Sequence, residues 1–193
     1  MKTCGVILAG GQSSRMGTNK ALLNIGGKSA IEHVADKLHA CCDDVIIISN
    51  DREPYIFLNL SIFPDNFPHK GPLAGMETAL QNVQADAYLF AACDMPLIEP
   101  RLYMYLLTQL GNYDAVVPSY NGQLHPLAGI YRRTILPKLQ NQLTTNNLRV
   151  RTLLDQVNVL YMKEFPGFES DILENHFFNM NYPVDYEVIK TRQ

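Results

Sequence analysis

The sequence predicts a three-layer α/β fold with a mainly parallel central sheet. Three observations carry this. Apolar runs alternate with amphipathic segments along the chain, the pattern of repeated βαβ units. The runs "VIL" (6–8), "VIII" (45–48) and "YLFAA" (88–92) are apolar at every position, so both faces of each strand need a covering helix. The first run ends in a glycine loop, at the strand end where such sheets collect ligands.

Taken in order, "CGVILA" (4–9) is the first strand. "SAIEHVADKLHAC" (29–41) places Ile31, Val34, Ala35 and Leu38 at helical spacing. "DVIIIS" is a β-branched strand and "LSIFP" (60–64) another short extended stretch. "PLAGMETALQNV" (72–83) is a helix opened by Gly71-Pro72, and "AYLFAACD" (87–94) a strand. "RLYMYLLTQL" (101–110) is a helix after Pro100; "DAVVPSY" (114–120) and "HPLAGIYR" (125–132) are strands. "TILPKLQNQL" (134–143) is a helix broken near Pro137, "VRTLLDQV" (150–157) a short helix and "VLYMKEF" (159–165) a strand. "YPVDYEVIKTR" (182–192) is a last helix with Pro183 at its start. No linker, repeat or low-complexity stretch interrupts the series, so residues 1–193 are expected to form one domain with a Rossmann-like layout.

Composition narrows the function. Apolar residues make up 47% of the 193, ordinary for a globular chain. A net charge of −3 argues against a general nucleic-acid binder, which needs a basic face. No run approaches the roughly 20 apolar residues of a membrane helix. "MKTCGVILAGG" lacks the length of a signal segment and leads into a strand, so a cytoplasmic location is expected. Cys4, Cys41, Cys42 and Cys93 form no CxxC pair and are expected to be reduced. His33, His39, His69, His125 and His176 show no zinc spacing.

The chemistry centres on "LAGGQSSRMGTNK" (8–20). It is neither the dinucleotide fingerprint nor a P-loop, since Leu22 stands where the P-loop's first glycine would be. Gly10 and Gly11 let the backbone approach a ligand and aim N–H groups at anionic oxygens. Arg15 supplies a planar fork and Lys20 a compact charge, both suited to phosphate. Asp94, just past a buried strand and before Pro96, either caps a turn or ligates a metal; beside the glycine loop, the metal reading is preferred. Asn179 and Asn181 are two apart, so on an extended segment they share a side. They either form Asx-turns or contact metal and substrate.

These blocks resemble the GT-A-like nucleotidyltransferases, and within them the molybdenum cofactor guanylyltransferase (MobA-type) family. "LAGGQSSRMGTNKALL", "GPLAGMETAL", "ACDMPLI", "HPLAGIYRR" and "FNMNYPVDYE" agree in order over nearly the whole chain. Two positions depart: Asn19 stands where the family has aspartate, and Tyr182 where it has threonine. The resemblance implies GMP transfer from GTP to molybdopterin or the molybdenum cofactor, with Mg²⁺ held by Asp94 and pyrophosphate released. It implies catalytic roles for Arg15, Lys20 and Asp94. It places the nucleotide at Leu8, Ala9, Gly10, Gly11, Lys20, Asn50, Asp65, Gly71 and Asp94, with Asp65 at either guanine or ribose. It places the acceptor at Arg149, Asn179, Asn181 and His125. Arg149 is otherwise a solvated helix arginine, and His125 an ordinary hydrogen-bonded histidine. Other proteins of the molybdenum cofactor pathway are the macromolecular partners it implies. A cytidylyltransferase or sugar-nucleotide synthase, and a non-catalytic nucleotide-binding module, are the alternatives. "LAGG" and Asp65 favour guanine; keeping Arg15, Lys20 and Asp94 together favours an enzyme.

Overall fold

A computed structural model describes residues 1–10 and 19–191 of the chain. Gly11 and Arg15 lie outside the described residues. The strands are β1 (Thr3–Leu8), β2 (Asn24–Ile25), β3 (Lys28–Ser29), β4 (Asp44–Ile48), β5 (Ser61–Phe63), β6 (Ala87–Ala92), β7 (Ala115–Tyr120), β8 (Gln123–Leu124), β9 (Ile130–Tyr131) and β10 (Val159–Met162). The helices are α1 (Ala30–His39), α2 (Pro72–Asn82), α3 (Pro100–Thr108), α4 (Leu136–Thr144), α5 (Val150–Leu154), α6 (Ser170–His176) and α7 (Pro183–Thr191).

Among the described residues the main sheet has the order β10-β7-β9-β6-β1-β4-β5, with β8 paired to β7. β1 lies at its centre, parallel to both β4 and β6: Ile7 is opposite Ile47 on one side and Ala91 on the other. β4 with β5 and β7 with β10 are also parallel. β9 runs antiparallel between β6 and β7.

The alternation of side chains along the strands builds two cores. Ile7, Val45, Ile47 and Leu89 face one layer with Leu38 of α1, Leu102 and Tyr103 of α3 and Leu173 of α6. Val6, Leu8, Ile46, Ile48 and Phe90 face the other, against Leu73 and Met76 of α2, Leu139 of α4 and Leu153 of α5. This is the two-sided cover that uniformly apolar strands require. A third, small cluster of Ile25, Ala30, Met180 and Ile189 ties β2 and α1 to α7.

Several elements differ from the sequence reading. "HPLAGIYR" is not one strand: Pro126–Ala128 form a 3-10 turn and only Ile130–Tyr131 pair. Pro126 lacks the N–H a ladder needs, which delays the strand. α4 is not broken at Pro137, because the proline lies in its first turn, where a missing N–H costs nothing. α6, the β2–β3 hairpin and the 3-10 helix Glu53–Leu58 are additional. The hairpin turns on Gly26 (φ 59°) and Gly27 (φ 93°), a backbone region that favours glycine.

Candidate active site

The site lies at the carboxyl ends of β1, β4 and β6. The end of β1 is stitched to both neighbours: Ala9 N–H donates to the Ile48 carbonyl (3.0 Å), and Cys93 N–H donates to the Leu8 carbonyl (3.1 Å). That fixes Leu8, Ala9 and Gly10 between the β4 and β6 loops. Gly75 in α2 packs tightly here. A Cβ on it would lie 2.8 Å from Leu8 Cδ2 and 3.7 Å from Asp65 Oδ1, so only glycine lets α2 approach this closely.

Asn50, after β4, and Asp65, after β5, form a reciprocal pair. Asn50 Nδ2 donates to Asp65 Oδ2 (3.0 Å), and Asp65 N–H donates to Asn50 Oδ1 (2.9 Å). Burial pushes the Asp65 carboxyl above its ordinary value, against the Asn50 hydrogen bond. Asp65 Oδ2 lies 3.9 Å from where a Cβ of Gly10 would be, which brings the pair to the nucleotide loop. The next residue is held too: Asn66 donates to Glu77 Oε2 (3.0 Å) and to Thr78 Oγ1 (2.9 Å) in α2. Gly71 (φ 67°) caps α2, with open space where its Cβ would be.

Lys20, Asp94 and Asn181 meet on the other side of Gly10. Lys20 Nζ lies 3.8 Å from Asp94 Oδ2 and donates to Asn181 Oδ1 (3.4 Å). Burial raises the Asp94 pKa, and the Lys20 ammonium opposes this. Lys20 opens a short 3-10 helix whose cap is Asn19: its Oδ1 accepts from Ala21 N–H (3.1 Å), and its Nδ2 donates to Tyr55 Oη (3.0 Å). An asparagine therefore does the capping that an aspartate would do, so this departure leaves the lysine in place.

Asn179 and Asn181 do not lie on an extended segment, and their side chains have different partners. Asn181 N–H bonds back to the Asn179 carbonyl (3.0 Å), so the segment turns where an extended strand was expected. Asn179 Nδ2 donates to the Phe177 carbonyl (3.2 Å), while Asn181 reaches Lys20. Asp185 holds the turn, accepting from the N–H groups of Asn181 and Tyr182 (both 2.7 Å). Two more bonds zip this segment to the Asp94 loop: Met180 N–H to the Asp94 carbonyl and Glu99 N–H to His176 Nδ1 (both 2.9 Å). In the sequence Asn19 stands out only as a departure from the family pattern, and Asp185 and His176 are not singled out as site residues. The first two stand at helix starts, a readable signal; His176 acts across 77 residues and has no local signature.

His125 and Arg149 lie apart from these groups. The His125 ring packs 4.4 Å from Phe177 in a neighbouring cleft, and burial lowers its pKa. Arg149 is exposed at the start of α5. Among the described residues no group of three or more His, Cys, Asp or Glu is placed to hold a metal ion.

A largely buried carboxylate, a lysine and a glycine-ended strand gather at the carboxyl end of the central strands. The model of the MobA-like NTP transferase domain matches residues 5–159. The chain belongs to this family. A relative from Carboxydothermus hydrogenoformans, named probable molybdenum cofactor guanylyltransferase, is 39% identical over 94% of this chain and 91% of its own. One of the same name from Pelotomaculum thermopropionicum is 35% identical over 100% and 93%. The crystal structure of molybdopterin-guanine dinucleotide biosynthesis protein A from Archaeoglobus fulgidus superposes with a TM-score of 0.84 at 23% identity, covering 98% of this chain and 97% of that one. At that identity it speaks for the fold alone.

Proposed function

We propose that this site transfers the GMP unit of GTP to molybdopterin or its molybdenum-loaded form, releasing pyrophosphate and leaving a guanine dinucleotide form of the cofactor. The observation that carries the reading is the convergence of Lys20, Asp94 and Asn181 beside the Asn50–Asp65 pair. The names of the relatives support the same substrates. Residues 1–193 act as one nucleotidyltransferase unit. A cytoplasmic setting is part of the reading, and the free cysteines Cys4, Cys41, Cys42 and Cys93 are in keeping with it.

An oxygen of the acceptor's terminal phosphate bonds to the α-phosphorus of GTP, and the bond from that phosphorus to the pyrophosphate oxygen breaks. The attacking phosphate is already an anion near neutral pH, so the protein must align and neutralise rather than take a proton. Lys20 offsets the developing charge, and Arg15 of the glycine loop has the same role in this reading. Backbone groups of Leu8 to Gly11, with Gly71 at the start of α2, line the nucleotide. Asp65, aligned by Asn50, accepts from the guanine N1–H and 2-amino group or from the ribose. Arg149, Asn179 and His125 border the acceptor.

Mg²⁺ fits the donor set. The Asp94 carboxylate and Asn181 Oδ1 are hard oxygens that already share one cation, Lys20, and magnesium takes one or two protein oxygens beside phosphate. Asp94 and Asn181 would hold it, and it would supply charge neutralisation on the phosphates.

The test is pyrophosphate release from each NTP with Mg²⁺ and molybdopterin. Release with GTP alone is expected. Release with CTP alone would make the chain a cytidylyltransferase, and none with any NTP would make it a binding module.

A further inference from the structure

Beside the site, the β7–β8 hairpin and α6 enclose a cleft of about 260 Å³. Its wall is aromatic. Tyr120 stacks on Phe177 at 5.2 Å and 24°, and His125 packs on the same ring at 4.4 Å. Its rim is polar, with Gln123 from the hairpin and the Glu174 carboxylate from α6. Glu174 is exposed and makes no ion pair among the described residues. The cleft has the composition of a site for a flat heterocycle: an aromatic wall for the ring face and a few polar groups for its edge.

We propose that this cleft takes the pyrimidine ring of a 2-amino-4-oxopteridine, with Glu174 accepting from its N3–H and 2-amino groups. The inference rests on the guanylyl-transfer reading above and names the part of the acceptor that the cleft recognises. A carboxylate has two acceptor oxygens and matches two adjacent donors. The Gln123 amide can donate to the 4-oxo group. Burial keeps His125 neutral, so it adds ring surface rather than a competing cation for Glu174. Reach is satisfied as well. Phe178 lines the cleft, and Asn181, three residues on, bonds Lys20. Three residues span at most about 11 Å. An acceptor with its ring in the cleft and its phosphate at Lys20 therefore bridges a short gap.

Guanine carries the same pair of donors, so the experiment must tell the two apart. The full chain is titrated with 6-hydroxymethylpterin, followed by quenching of the pterin fluorescence, and in parallel with 6-hydroxymethyl-lumazine, which has a 2-oxo group in place of the amine. Wild type is expected to bind the pterin roughly tenfold or more tightly than the lumazine. Glu174→Gln should erase that preference, and GMP should not displace the pterin. In guanylyl transfer, Glu174→Gln should raise KM for molybdopterin about tenfold and leave KM for GTP unchanged. Equal binding of the two pteridines, no quenching at millimolar pterin, displacement by GMP, or an unchanged preference in Glu174→Gln would each overturn the proposal. Pterin discrimination by a protein that transfers no GMP would support the cleft and sink the guanylyl-transfer reading instead.

Discussion

Asp94 carries a conflict between stability and chemistry. Its carboxylate is largely buried, and Lys20 offsets only part of the cost. A carboxyl whose folded pKa lies above its unfolded value favours the fold when protonated. Its contribution is fully present below the ordinary value of 3.8 and is lost as pH rises through the raised folded value. Asp94→Asn removes the charge. It should raise Tm at pH 7 relative to wild type, with the gap closing below pH 3.8, while turnover falls by about a hundredfold or more. Thermal melts at several pH values and pyrophosphate release at saturating Mg²⁺ check both halves; near-normal turnover would remove Asp94 from the mechanism. Asp65 poses a different question at the same scale. Asp65→Asn swaps an acceptor for a donor opposite a guanine donor. The preference for GTP over CTP and ATP should fall by roughly 1–3 kcal/mol, the scale of one unpaired buried polar group. Comparing kcat/KM for the three nucleotides decides. Equal losses for all three would assign Asp65 to the ribose.

The zip between the Asp94 loop and residues 176–181 belongs to the scale of elements. His176 is fully buried, accepts from Glu99 N–H through Nδ1 and leaves Nε2 without a partner among the described residues. Burial lowers its pKa to about 3. A histidine with a depressed folded pKa contributes stability that is present above its unfolded value of 6.5 and lost as pH falls toward the folded one. Wild type should therefore lose about 1.4 kcal/mol per pH unit below 6.5 through this residue. His176→Asn keeps an acceptor for Glu99 but cannot titrate, so its unfolding free energy should be flatter between pH 6.5 and 5. Parallel slopes in denaturant titrations of the two proteins would contradict the assignment.

Elements also mark how far the sequence was legible. β1, β4 and β6 were readable because the runs Val6–Leu8, Val45–Ile48 and Tyr88–Ala92 within them are apolar throughout and helices cover both faces of the sheet. α6 was not, because "SDILENH" buries only Leu173 and His176 and so shows little periodicity. The direction of β9 was not, because strand polarity within a sheet is a property of the long connections and not of two residues. The site follows the same rule. Asp94 and Asp65 could be found from their places after strands. The parting of Asn179 from Asn181 could not, because a single backbone hydrogen bond between them turned the segment.

For the molecule as a whole, the sheet has a working end and a structural end. Lys20, Asp65, Asp94 and Asn181 cluster where β1, β4 and β6 finish. Where β1 and β4 begin, the groups that meet hold the chain together: Thr3 N–H and Oγ1 donate to Asp43 (2.7 and 2.8 Å), the Lys2 ammonium pairs with Asp44 (3.1 Å), and the Lys2 backbone N–H donates to Asp86 (2.6 Å). The thiols divide in the same way. Cys93 adjoins Asp94, and burial pushes it up to about 12, as it does Cys4. Cys41 and Cys42 lie at the structural end, between α1 and β4, where a hydrogen bond from Cys42 lowers the Cys41 pKa and raises its own. Cys41 is half-buried, so it should be the first thiol to react with a maleimide near pH 7. Peptide mapping of the singly labelled protein checks the site of addition, and guanylyl transfer should be unchanged; a label found first on Cys93 would refute the ranking. The native chain thus offers a tether point that faces away from its substrates, and a fluorophore or surface linker on Cys41 would report on the working enzyme without entering it.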